Sequence, residues 1–292
     1  MGTVVVDHHV VVREFPEPDT KAEILSDRFQ VGGPVPTALA LLTRFGALTS
    51  FIGKWATDRW GEMIEDDLGQ ARIDLGQAVV SPSVRTGFAH VWVEAGTGRR
   101  SIAAYRGSHP LEPADLTNIA WPSYHALHLD AWPSATAIEA ARQMKSAGGR
   151  VFIDFGSPKP NWETLVGFAD LVNCPHRLLD VLFPGTTMEK AAKRLVALGA
   201  GEVTVTDGDL GAWFFDADTE LHQPALPVEA IDTNGAGDVF TGAMIFATLR
   251  NWPADRRMRF ATIAAALKCK RMGNRDALPS LEQIESTLAE EH

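Results

Sequence analysis

The sequence predicts a three-layer α/β fold, with helices on both faces of a mainly parallel sheet. Three observations carry that expectation. Short β-rich runs alternate with helical runs along most of the chain, the pattern of βαβ units. Polar residues recur just past the ends of those runs. A chain of 292 residues, 45% of them hydrophobic, can also bury one large α/β core carrying a small appendage.

Val4 to Val6 is a short apolar run ending at Asp7, and Val10 to Val12 and Ile24 to Val31 read as further strands. Pro36 to Phe45 is helical, with Leu39, Leu42 and Phe45 at helical spacing and Gly46 as the stop. Thr49 to Ile52 reads as a strand and Trp60 to Ala71 as a helix. Arg85 to Glu94 and Arg99 to Tyr105 form a hairpin through Ala95-Gly96-Thr97-Gly98. Strands at Ala126 to Leu129, Val151 to Ile153, Leu171-Val172 and Val203 to Val205 alternate with helices at Ser134 to Ser146 and Met188 to Leu198. After a β-like run at Val228 to Ile231, the last third is helical: Asp238 to Leu249, Asp255 to Lys270 and Leu281 to Glu290. The whole chain, 1–292, reads as one domain.

A net charge of −10 argues against a nucleic-acid partner and against an anionic membrane surface. No stretch approaches the roughly 20 apolar residues of a membrane helix, and the start, Met1-Gly2-Thr3, carries no basic leader. Two distant cysteines, Cys174 and Cys269, make neither a disulfide framework nor a zinc signature; they fit reduced thiols in a cytoplasmic protein. His8-His9 and the His125, His128 pair lack a third ligand at metal spacing.

Asp7, Asp130, Asp154, Asn173 and Thr206 each follow a predicted strand. In an open parallel sheet, ligands bind beyond the strand carboxyl ends, so the set points to a binding edge. The sharpest segment is Asp232-Thr233-Asn234-Gly235-Ala236-Gly237-Asp238, which opens a helix. Small residues there let an anion approach backbone N–H groups at the positive end of the helix. Asp238 in the first turn stands ready to accept a proton beside them. Phosphoryl transfer needs that pairing of charge stabilisation and a positioned acceptor. The segment is neither a P-loop nor G-x-G-x-x-G.

With Gly242-Ala243 following, this segment resembles the C-terminal signature of the PfkB carbohydrate kinases, the ribokinase type. Other landmarks keep the family's order: Val31-Gly32-Gly33; Phe51-Ile52-Gly53-Lys54 with Asp58 and Gly61; Arg85-Thr86-Gly87 and Tyr105-Arg106-Gly107; and Val205-Thr206-Asp207-Gly208-Asp209-Leu210-Gly211. The resemblance implies a ribokinase-like fold, with a small β lid from elements at about 8–31 and 85–107, and an ATP- and Mg²⁺-dependent kinase acting on a sugar hydroxyl. It implies Asp238 as general base and Gly235, Ala236 and Gly237 as anion hole. Thr206, Gly208 and Gly211 would line ATP, with Thr262 and the Ala264 to Gly273 stretch near adenine. Asp7, Gly32, Gly33, Thr37, Arg106 and Asp130 would face the substrate. Asp232 and Asn234 fall where some members hold a monovalent cation such as K⁺. Lids of this family often pair between subunits, which implies a homodimer.

Some positions depart from the family. Thr37 stands where an Asn is usual, Pro34-Val35-Pro36 replaces a smaller run, and Val5 takes a place that can be polar. These changes put ribose itself in doubt. Asn173-Cys174-Pro175-His176 lacks the Glu of Asn-x-x-Glu, which normally helps organise magnesium. His8, His9, Lys54, Arg85, Arg106 and His109 cluster in pocket and lid segments and would suit an acidic or phosphorylated sugar. The Gly32-Gly33-Pro34 stretch with Thr37, and Ala264 to Cys269, are similar to sulfofructose kinase-like members. Two rivals stay open: a nucleoside or vitamin kinase of the same fold, and a non-catalytic ligand-binding regulator.

Overall fold

The computed structural model describes residues 1–97 and 99–290. In chain order the elements are β1 (Val5–Val12), β2 (Ile24–Gly32), α1 (Pro34–Arg44), β3 (Lys54–Ala56), α2 (Arg59–Gln70), β4 (Val79–Ser81), β5 (Phe88–Glu94) and β6 (Arg100–Tyr105). They continue as β7 (Ala126–Leu129), α3 (Ser134–Ser146), β8 (Arg150–Asp154), α4 (Trp162–Val166), β9 (Leu171–Pro175), α5 (His176–Leu182), α6 (Met188–Ala197) and β10 (Glu202–Thr206). The last are β11 (Ala212–Phe215), β12 (Glu220–Gln223), α7 (Ala236–Leu249), α8 (Ala254–Cys269) and α9 (Leu281–Glu290).

The main sheet has the order β12-β11-β10-β9-β8-β7. Its four strands β7 to β10 run parallel, so their carboxyl ends share one edge; β11 is antiparallel to β10, and β12 is antiparallel to β11. Alternation along the strands divides the core between two faces. Phe152, Leu171 and Phe214 pack with Val239, Phe246 and Phe260 of α7 and α8. Val151, Ile153, Val172 and Val203 pack on the other side with Ala140, Leu178 and Leu195 of α3, α5 and α6. Helix, sheet and helix form the expected three layers.

The lid is a separate sheet of order β2-β1-β5-β6, in which β1 and β5 run parallel. Its hairpin is built as expected, although Gly98 of the connecting turn lies outside the described residues. Asp58 ties the lid to the body. It caps α2 through Trp60 N (3.1 Å) and Gly61 N (2.9 Å) and also accepts from Thr86 Oγ1 (2.7 Å) at the hairpin root.

Three local expectations are corrected. Thr49 to Ile52 forms no strand: Ser50 makes one isolated bridge to Asp74. Val228 to Ile231 forms none either, because the Ile231 and Asp232 amides turn instead to the Cys269 carbonyl (2.8 and 3.1 Å). Asp7 does not end a strand. β1 runs straight through it to Val12, because both its neighbours, β2 and β5, continue to pair beyond Asp7.

Replacing Asp58 by Ala removes the α2 cap and the tie to Thr86 together. We expect a loss of about 1–2 kcal/mol or slightly more in urea unfolding; an unchanged midpoint would show that the tie carries no stability.

Candidate active site

Gly235, at φ 76°, occupies the N-cap of α7, a left-handed conformation that glycine adopts without steric cost. The first bond within the helix runs from Val239 N to Gly235 O (3.0 Å), while the Ala236 amide reaches back to Thr233 O (3.3 Å). The Gly237 and Asp238 amides therefore stand ahead of the helical ladder, at its positive end. A Cβ built at Gly237 would meet open space, so an anion can approach closely.

Asp238 projects from this turn. Burial lifts its carboxyl to about 6, with the charges of Arg275 and Lys268 pulling it down and Asp130 pushing it up. Arg275 is anchored by Asp67 Oδ2 (3.0 Å) and Thr37 Oγ1 (3.1 Å). Two other carboxyls lie within reach of Asp238's field. Burial, then Asp238, raise Asp7 to about 7. Burial, then Asp238, raise Asp154 to about 8 against a hydrogen bond from Thr241. A carboxyl raised towards neutrality in this way suits a base working near pH 7.

The substrate-side candidates converge on the same cleft. Asp7 lies over Gly32 so closely that a Cβ there would come within 2.2 Å of Asp7 Oδ2. Gly33, at φ 117°, caps α1 against the Thr3 carbonyl. Thr37 is buried one turn on and faces Gly235. Asp130, just past β7, is held by Thr3 N (2.7 Å) and Trp132 N (3.1 Å). A cavity opens beside it, lined by Thr3 and Trp132 and by Lys54, Arg85, Arg106 and His109. Arg106 lines that opening directly, and Asp130 reaches it through its bonded neighbours Thr3 and Trp132.

The nucleotide-side candidates form a second group. Thr206 ends β10, and the turn after it needs positive φ at Gly208 (55°) and Gly211 (96°). At Gly211 a Cβ would also come within 2.2 Å of Gln223 O. Thr262 on α8 is buried, its hydroxyl unpartnered among the described residues, beside a cavity of about 160 Å³ lined by Gln223 to Pro227 and Ile263. That slot, with one polar atom waiting, suits a purine. Gly273 lies elsewhere: its amide donates to Asp232 Oδ2 (2.9 Å), and it packs against Arg28.

Asp232 and Asn234 do not stand free for a metal. Lys268 Nζ lies 2.8 Å from Asp232 O and 3.2 Å from its Oδ2. Asn234 N donates to Asp232 Oδ1 (2.9 Å), and Arg100 approaches Asn234 Oδ1 (3.4 Å). No group of three His, Cys, Asp or Glu among the described residues could hold a metal ion.

Several site residues escaped the sequence reading of roles. Asp154 was visible as a strand-end carboxyl, but its linkage was not. Thr241 Oγ1 sits 2.9 Å from Asp154 Oδ2 and 3.0 Å from Gly237 O, and Asn173 joins Thr241 (2.7 Å) to Thr204 (2.9 Å). His176, in place of the missing Glu, bonds Asp207 (2.8 Å) beside the Gly208 turn. The signal for that pair was the departure itself.

Residues 1–281 match the model of the pfkB family of carbohydrate kinases. The chain belongs to the pfkB family. It is 26% identical to the ribokinase of Staphylococcus aureus over 299 residues, covering 97% of both chains. It is 25% identical to the ketohexokinase of Mus musculus, covering 94% of this chain and 96% of that one. The ribokinase structure from Thermotoga maritima superposes with a TM-score of 0.85 at 25% identity, over 99% of this chain and 97% of that one. As a pfkB member the protein is a carbohydrate kinase of ribokinase-like fold.

The raised carboxyls predict a pH slope of stability. The folded chain keeps protons on Asp154 and Asp7 that the unfolded chain releases near the ordinary value of 3.8. These two carboxyls therefore contribute stability that is lost as pH rises from about 4 through 8, while buried His9 and His128, held below the usual imidazole range, act the other way up to about 6.5. Asp154→Asn should remove its share, so that Tm changes less unfavourably between pH 5.5 and 8.5 than in the wild type. An equal change would remove Asp154 from the account.

Proposed function

We propose that this kinase transfers the γ-phosphoryl group of ATP to a hydroxyl of a sugar or sugar derivative, with Asp238 as general base and the turn from Gly235 to Gly237 as anion hole. The observation that carries the reading is the placement of an ionisable, partly desolvated carboxyl in the same helical turn as amides that make no backbone hydrogen bond among the described residues. The acceptor hydroxyl gives its proton to Asp238 as its oxygen bonds to phosphorus. The bond to the bridging β–γ oxygen breaks, ADP leaves, and Asp238 returns its proton to water. The Gly237 and Asp238 amides take up the charge that gathers on the transferred group.

ATP fits the residues present. The Gly208 to Gly211 turn receives phosphates and ribose, and the slot at Thr262 receives adenine. Magnesium asks for one or two carboxylates, with phosphates and water completing its shell. Asp207, fixed by His176 at the nucleotide turn, is the carboxylate that would meet it, which accounts for the missing Glu. When bound, the ion screens the phosphate charge. Asp7, Gly32, Gly33, Thr37 and Asp130 would position the sugar.

The cavity lined by Lys54, Arg85, Arg106 and His109 supports an acidic or phosphorylated sugar in a chain whose overall charge is −10. The same fold serves nucleoside kinases, but the family match and the curated relatives are sugar kinases. Retention of Asp238 and the anion hole weighs against a non-catalytic regulator. The free thiols Cys174 and Cys269 support a reducing, cytoplasmic setting. The apolar side chains Ile24, Leu25 and Ile102, exposed on the lid strands, support pairing of two copies through the lid. A single-subunit mass in light scattering would refute that pairing.

Asp238→Asn should lower turnover by orders of magnitude while ATP binding persists, and wild-type kcat/KM should fall as pH drops below about 6. Undiminished turnover in the variant would sink the assignment. On a panel of neutral sugars, sugar acids, sugar phosphates and sulfo-sugars, Arg106→Ala should raise KM selectively for the anionic ones. Equal effects on neutral sugars would dismiss the charge preference.

A further inference from the structure

We propose that the ammonium of Lys268 is a built-in cation for the loop that carries the anion hole, standing where a bound monovalent ion was expected. The enzyme then needs no potassium. The consequence for turnover rests on the kinase reading above; the placement rests on geometry alone.

Lys268 lies in the last turn of α8 and is 0% exposed. A lysine is almost never buried so fully unless its charge is paired. Its partners are two oxygens of one residue, the Asp232 carbonyl at 2.8 Å and carboxylate Oδ2 at 3.2 Å. Carbonyl and carboxylate oxygens are the donors that a hard cation would seek. The remaining acceptor, Oδ1, takes the Asn234 amide at 2.9 Å, and Oδ2 also takes the Gly273 amide. Asp232 has no oxygen left without a donor.

Charge points the same way. Arg28 Nη2 stands 3.8 Å from Asp232 Oδ2, and Arg100 reaches Asn234 two residues on. A metal ion would add a further positive charge around a single carboxylate. The position also matters mechanically. The Ile231 and Asp232 amides both bond Cys269 O, next to Lys268. The end of α8 therefore grips the strand of chain that leads, through Asn234, into Gly235 and Asp238. The ammonium also helps hold Asp238's carboxyl down against burial. Lys268 acts as a positioning residue: it touches the loop, not the reacting atoms. Because the cation is covalently attached, it cannot dissociate as salt falls.

The test compares choline, sodium and potassium chloride at equal ionic strength. Wild-type turnover and Tm should be the same in all three. A saturable rise in either with potassium, absent with choline, overturns the proposal. Lys268→Ala should lower turnover in choline about tenfold or more, the scale of one lost charged hydrogen bond. Potassium or ammonium should restore part of the rate and raise Tm. A folded Lys268→Ala that matches wild type in choline also overturns it. If that variant fails to fold, Lys268→Arg keeps the charge and should remain insensitive to the cation; acquired potassium dependence in it counts against the proposal. Absence of turnover in every salt and on every sugar sinks the kinase reading instead, and the wild-type Tm comparison then decides on Lys268.

Discussion

A carboxylate that must stay ionised while largely out of water is the constraint on which the rest of this structure depends. Burial alone favours the neutral acid, and Asp238 escapes that outcome through its surroundings. It sits in the first turn of α7, and Arg275 and Lys268 bring positive charge to it. Arg275 in turn is held by Asp67 of α2 and Thr37 of α1, and Lys268 by Asp232. The charge of one side chain thus draws together elements far apart in sequence.

The parallel sheet supplies the other half of the design. Strands β7 to β10 end side by side, delivering Asp130, Asp154 and Thr206 to one edge. Burial and the nearby Asp238 carboxyl raise Asp154 and Asp7 above the ordinary carboxylate range. The Asp154, Thr241, Asn173 and Thr204 chain is a fully joined polar network in an otherwise apolar layer, the form in which buried polar groups stiffen a site rather than weaken it.

Much of this was legible in the sequence. The α/β alternation, the boundaries of β7, α3 and α9, the two-part lid and the Asp232 to Asp238 turn follow from periodicity, small residues and strand-end polarity. Asp7 misled because a polar residue looks like a strand end, although here two flanking strands carry β1 past it. Val228 to Ile231 misled because apolar content does not reveal where backbone donors go. β11 and β12 went unread, as did α4 and α5, short elements stabilised by tertiary packing rather than by pattern. The burial of Lys268 was beyond reach: in a helix end, a lysine reads as a solvated charge, and only the fold shows that Asp232 stands opposite it.

The main sheet ends on both sides in four-residue strands, β7 and β12, and β12 is the polar run Glu220-Leu221-His222-Gln223. A rim so short and hydrophilic is a poor template for adding another strand. The β12 edge is thereby guarded against pairing with a strand of another chain.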